Sequence, residues 1–328
     1  MLCIIEFDIT MSYLIIIFII LIICLLKKLM YKKEHINTPK YMRDPNKLRD
    51  NVVTFFFQGN NSSRSQATKY TGPESVRCRY NGKDIEATSQ ISPRILHNVY
   101  TYDELDDLDY YSYNPIFLGL KLAFHISNVQ NGIDGPAHIP DITKWSVGGQ
   151  DDVNHFLRNI KKMIDEHPDK KIVVFGCSRG ASTTLIGLSL LGDEYLKKIN
   201  LVIVEAPFNN LSDVLNSWKY LKFLADIQLH LLAKYARYSH EQLTPIEAVD
   251  DIPTNIPIAF ITSKIDETVP EKLSKKIIKK MRKMGHEKIH HCSLDNSCHE
   301  KCSIDNLEDQ KKYFDFVEEL YQKYVDSD

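Results

Sequence analysis

The chain has 328 residues, 43% of them hydrophobic and 26% charged, with 41 basic against 43 acidic side chains. These figures exclude wholesale disorder, a collagen-like repeat and a polytopic membrane protein, and a net charge of −2 leaves no nucleic-acid footprint. Counted by segment the charge is uneven: residues 1–26 carry −2, residues 27–50 carry eight bases against three acids, +5, and the remainder from 51 onward carries −5.

The first element in chain order is apolar. Residues 13–26 are fourteen residues without a charge, short of the roughly 20 that span a bilayer. Extending the stretch from Met11 to Met30 brings it to length, with Lys27 and Lys28 snorkelling to the interface. Its twelve Ile, Leu and Phe side chains contribute about −5 kcal/mol on an insertion scale. A cleaved signal peptide fits less well, because its bases would precede the apolar core rather than follow it; a buried core helix is the other alternative. The sequence therefore predicts a membrane anchor with a basic flank at 1–33 and a basic linker at 34–50. By the positive-inside rule, the body at 51–328 lies in the cytosol. The bases also suit anionic lipid. The seven cysteines demand no disulfide framework in a chain of this size. Sequons at Asn60, Asn61 and Asn210 receive glycans only if the sidedness is reversed.

The body alternates strands and helices. Residues 52–57 form an apolar, β-branched and aromatic run that ends in Gln58-Gly59-Asn60 and reads as a buried strand. Between 62 and 150 the pattern is poor, with weak strands at 95–100 and 116–124 and a surface loop at 103–113. From 151 the signal recovers: Val153, Phe156, Leu157, Ile160 and Ile164 recur at helical spacing and the helix stops at Glu166-His-Pro-Asp. Strands follow at 171–175, 201–204, 256–262 and 288–294, with helices at 181–191, 211–237, 271–284 and 307–325. Apolar strands alternating with helices predict an α/β fold, a mostly parallel central sheet flanked by helices.

One motif carries chemistry. Gly176-Cys-Ser178-Arg-Gly180 falls between a strand and a helix, where glycines permit the tight turn that lifts a serine hydroxyl above the sheet at a helix N-terminus. A serine hydroxyl needs a base within hydrogen-bond reach, and the base an orienting acid. In a parallel sheet both come from loops at the carboxyl ends of other strands. Asp266 follows the strand at 256–262 and His299 follows the last strand, giving the chain order Ser, Asp, His. Glu205 is the rival acid, and a turn-capping role is the bland reading of Asp266. His286, His290 and His291 are rival bases, but only His299 lies beyond the carboxyl end of its strand.

These motifs, with residues 257–270 as acid loop and Cys298-His299-Glu300 before the terminal helix, make the chain from about 51 resemble the α/β-hydrolase superfamily. The resemblance extends to Gln58-Gly59-Asn60, similar to the family's His-Gly-Asn oxyanion loop with Gln in place of His. It implies backbone N–H groups of Asn60 and Arg179 as the oxyanion donors. The family's usual Asp-x-Arg-Gly-x-Gly segment is missing, and its two leading strands have little room before residue 51. The apolar stretch within about 208–250 reads either as a lid over the pocket or as a sheet-covering helix.

The sequence thus predicts a membrane-anchored serine hydrolase that cleaves carboxylic esters or thioesters of small-molecule, lipid or acyl substrates through Ser178, His299 and Asp266, with no cofactor, no metal and no nucleic acid. A catalytically inactive scaffold or binding protein of the same fold is the alternative. Cys292, Cys298, His299 and Cys302 suggest a third class, a zinc site, and Cys177 a thiol nucleophile. The elbow geometry favours its middle residue, Ser178.

Overall fold

The computed structural model describes residues 49–57, 59, 70, 77–80, 83–86, 96, 99–101, 111–112, 145–146, 149–217, 229, 242–299 and 306–327. The chain divides into two compact units, Met1–Thr38 and Pro39–Asp328, and all described residues belong to the second. The predicted anchor, Asn60, Cys302, the strand at 116–124 and all of 218–241 except Leu229 lie outside them. Among the described residues no helix is long and apolar enough to cross a membrane.

Among the described residues there are ten strands: β1 (Val52–Phe57), β2 (Arg77–Tyr80), β3 (Lys83–Glu86), β4 (Val99–Thr101), β5 (Tyr111–Ser112), β6 (Trp145–Ser146), β7 (Lys171–Cys177), β8 (Ile199–Glu205), β9 (Ile258–Ser263) and β10 (Ile289–Leu294). The α-helices among them are α1 (Gln150–Glu166), α2 (Arg179–Leu190), α3 (Asp193–Leu196), α4 (Leu211–Ser217), α5 (Pro245–Ala248), α6 (Glu271–Lys283) and α7 (Leu307–Tyr324). Six strands form one sheet in the order β10-β9-β8-β7-β1-β4, and every pairing in it is parallel.

The period-two side-chain alternation of a strand explains why these runs are apolar throughout. Val53, Phe55 and Phe57 of β1, with Ile172, Val174, Val202, Val204, Ile258 and Phe260, point to one face. There they meet Phe156, Ile160 and Met163 of α1, Leu185 and Leu188 of α2, and Ile277 and Met281 of α6. Val52, Phe56, Val173, Phe175, Leu201, Ile203 and Ile261 point to the other face, covered by Tyr313, Val317, Leu320 and Tyr321 of α7. Aromatic rings knit both layers: Phe55 and Phe57 meet Phe156 edge-on at 5.6 and 5.9 Å, and Phe56 stacks on Phe175 at 5.5 Å. Such pairs contribute about 0.5–1.5 kcal/mol each beyond burial.

Pairing with neighbours lengthens the strands beyond their sequence signal. β7 runs on to Cys177 because Gly176 and Cys177 ladder with Val204 and Glu205 of β8. The surface loop predicted at 103–113 contains β5, whose partner β6 lies more than thirty residues later, a pairing no local pattern reveals. β2 and β3 form an antiparallel pair flanking Asn81-Gly82; that dipeptide is a hairpin signal in its own right. Arg49, counted with the basic segment, is part of the folded body: it pairs with Glu318 at 2.7 Å and Asp326 at 2.8 Å and lies over the Tyr321 ring.

The topology also creates a crevice. From β1 the chain passes to β4 on one side, whereas β7 to β10 extend on the other. Connections leaving the carboxyl ends of β1 and β7 therefore diverge, the usual position of a ligand site in an open α/β sheet.

Candidate active site

Ser178 stands at that crevice, between β7 and α2. Its backbone has φ 52° and ψ −114°, a left-handed conformation that costs a non-glycine residue on the order of 1–3 kcal/mol. The surroundings hold it there. The Ser178 N–H donates to the Glu205 carbonyl at 2.7 Å, and its own carbonyl receives the Ser182 N–H at 3.1 Å as the first turn of α2. Gly176 has to be glycine for steric reasons: a Cβ would lie 2.7 Å from both Ala181 Cα and the Gly180 carbonyl oxygen. The missing side chain lets α2 close onto the strand that precedes it.

Two loops from the far side of the sheet converge on the Ser178 hydroxyl. His299 Nε2 is 2.9 Å from Ser178 Oγ, and His299 Nδ1 is 2.6 Å from Asp266 Oδ2. An ionised carboxylate only accepts, so the ring proton belongs on Nδ1 and Nε2 is left to accept the serine O–H. Asp266 is buried and also performs the turn role: its Oδ1 accepts the N–H groups of Thr268 at 2.9 Å and Val269 at 2.8 Å. One oxygen builds the loop and the other orients the imidazole.

The rivals are occupied elsewhere. Glu205 is fully buried and accepts the Tyr313 hydroxyl at 2.9 Å on the α7 side of the sheet. His290 bonds Tyr324 Oη and His291 bonds Thr262 Oγ1, each at 2.8 Å, while His286 is buried. Burial pushes the pKa of all three histidines below the ordinary value. Cys177 is buried against Tyr70 Oη, and burial pushes the Cys292 thiol up to about 11. Both His299 nitrogens are committed to Ser178 and Asp266, and Cys302 lies outside the described residues. Among the described residues there is no group of three or more His, Cys, Asp or Glu side chains able to hold a metal.

Of the predicted oxyanion donors, Arg179 occupies the first position of α2 directly after Ser178, and Asn60 lies outside the described residues, next to buried Gly59. Sequence reasoning missed what the Arg179 side chain does. It is buried in a 2.5 Å ion pair with buried Asp152 of α1, and its guanidinium lies 5.7 Å from the centre of the Phe57 ring. The pair ties the serine turn to α1 and to the end of β1. Ser182 is likewise structural: its hydroxyl accepts the Phe208 N–H at 2.9 Å and donates to the Phe208 carbonyl at 3.2 Å.

A parallel α/β sheet with a strained serine after one strand, and an acid and a histidine reaching it from later strands, is the architecture shared by α/β-hydrolase serine hydrolases. No family model matches the chain, and no curated protein matches it. Among solved structures the chain is similar to the Pyrococcus furiosus esterase Pf2001, at 15% identity over 84% of this chain and 83% of that one, with a TM-score of 0.48. It is also similar to the Pyrococcus horikoshii acylaminoacyl peptidase, at 13% identity over 86% of this chain but only 39% of that one, with a TM-score of 0.49. An esterase domain from a Rhodothermus marinus protein follows at 9% identity, over 84% and 87% of the two chains, with a TM-score of 0.40.

Proposed function

We propose that this protein is a serine hydrolase that cleaves carboxylic esters or thioesters through an acyl-enzyme. The observation that carries the reading is the continuous hydrogen-bond chain from Asp266 through His299 to Ser178, at 2.6 and 2.9 Å. Ser178 Oγ attacks the carbonyl carbon as His299 Nε2 takes its proton. The tetrahedral oxyanion is received by the backbone N–H groups of Arg179 and Asn60. Collapse expels the alcohol or thiol, which takes the proton back from His299. Water, activated by the same imidazole, then hydrolyses the acyl-serine and restores the hydroxyl. Asp266 holds the imidazole tautomer and stabilises the imidazolium.

One further feature favours acyl or lipid substrates. The 1–33 segment is proposed as a membrane anchor with the catalytic domain on the cytosolic side.

The test is covalent labelling of the full-length protein by a fluorophosphonate. Wild type should label, Ser178→Ala should not, and Ser189→Ala, whose hydroxyl merely bonds the Ile186 carbonyl within α2, should label normally. Folded wild-type protein that never reacts would sink the proposal. Sidedness is read separately: a glycan on Asn210 in cells would place the domain in the lumen instead.

A further inference from the structure

We infer that Asp309, in the first turn of α7, is a positioning residue for His299, and that Ser297 and Ser263 extend its hold to the loop carrying Asp266. This rests on the serine-hydrolase reading above. It concerns how base and acid are kept in register.

His299 lies five residues beyond the end of β10, and residues 295–299 form neither helix nor strand. A catalytic base has to be held to within about 0.5 Å, so something outside the segment must supply the order. Asp309 does so. Its Oδ1 accepts the Asp295 N–H at 3.0 Å, and its Oδ2 accepts the Asn296 N–H at 2.7 Å and the Ser297 hydroxyl at 2.7 Å. These are three consecutive residues on the approach to His299. Asp309 is itself fixed, because its N–H donates at 3.1 Å to Asn306 Oδ1, the N-cap of α7. A carboxylate at that position also sits favourably at the positive end of the helix.

The hold continues into the acid loop. The Ser297 carbonyl accepts the Ser263 hydroxyl at 2.5 Å, and Ser263 Oγ in turn accepts the Ile265 N–H at 3.4 Å. Lys264 N–H to the Leu294 carbonyl, at 2.9 Å, adds a backbone rung between the same loops. Asp309, Ser297 and Ser263 are each at most 1% exposed. Burying a carboxylate is costly unless its bonds offset the lost hydration. All three of these bonds go to the His299 segment, while the adjoining face of α7 is already filled by Tyr313, Val317 and Leu320. The polar cluster therefore serves the loops rather than the core.

The experiment uses full-length protein, the fluorophosphonate labelling rate and steady-state hydrolysis of p-nitrophenyl acetate. Asp309→Asn keeps the shape but sets an amide against backbone N–H groups. It should lower the labelling rate and kcat by roughly 10- to 100-fold, as expected for a displacement near 1 Å, with KM little changed. Amide exchange at Asp295 and Asn296 should accelerate. Asp309→Glu should recover part of the rate, and Ser297→Ala and Ser263→Ala should each slow kcat to a smaller degree. Folded Asp309→Asn protein that reacts at the wild-type rate, or that loses rate only in proportion to its unfolded fraction, overturns the inference while leaving the proposed function standing. If Asp309→Asn does not fold, the two serine variants decide: normal kcat in both overturns it. A wild type that is folded and unreactive removes the proposed function, and this inference with it.

Discussion

On the β7 side of the site, Ser178 is held by backbone geometry: a positive φ, a glycine two residues earlier that only hydrogen allows, and the start of α2 immediately after. On the β9–β10 side, Asp266 and His299 sit on loops held by side-chain hydrogen bonds through Ser263, Ser297 and Asp309. The first device spans a few consecutive residues and works through backbone sterics. The second is spread over more than forty residues and depends on carboxylates and hydroxyls. Steric constraint specifies one position rigidly; a hydrogen-bonded lock aligns two distant loops, at the cost of sensitivity to single-atom changes.

The largest expected effect tests whether the two sides work as one unit. His299→Ala should lower kcat by about 10⁴- to 10⁶-fold, as much as Ser178→Ala, because neither group acts without the other; steady-state ester hydrolysis measures it. Asp152→Ala breaks the buried ion pair behind the serine turn and leaves Arg179 charged in the interior. It should cost about 3–5 kcal/mol in denaturant unfolding. Gly176→Ala forces a Cβ against backbone atoms that cannot rotate away. A loss of about 1–3 kcal/mol or more follows, with labelling of the surviving folded protein impaired; an unaffected variant would show that the serine turn is not sterically set.

The smallest effect is pH dependence. His286, His290 and His291 have pKa values pushed below 6.5 by burial. The unfolded chain therefore binds more protons below 6.5, and stability falls as pH drops from there towards the lowered values. Chemical denaturation across that range should show the slope, and His286→Leu should flatten it. Glu271 acts lower down. Burial opposes its charge, but Lys275, Ser293 and Thr262 hold its carboxylate below 4.5, so its contribution is lost as pH falls below that value.

Legibility in the sequence followed the range of the interaction. The central strands, the four long helices and the order Ser178, Asp266, His299 could be read because apolar runs, helical spacing and the Gly176-to-Gly180 turn are local patterns. The β5–β6 pair, the role of Arg49 on α7 and the Arg179–Asp152 ion pair were not readable. Each joins residues far apart in the chain, and the charged residues involved look from the sequence like solvated surface.

The sequence by itself determined the α/β alternation and the chemistry offered at the carboxyl ends of three strands, since hydrophobic period and turn residues act through neighbouring atoms. Only the tertiary structure decided which acid meets which histidine, and why. Glu205 ends β8 and Asp266 follows β9, but their carboxylates meet different partners, Tyr313 and His299. That choice depends on strand register and on how α7 packs, and it is made only when the whole chain is folded.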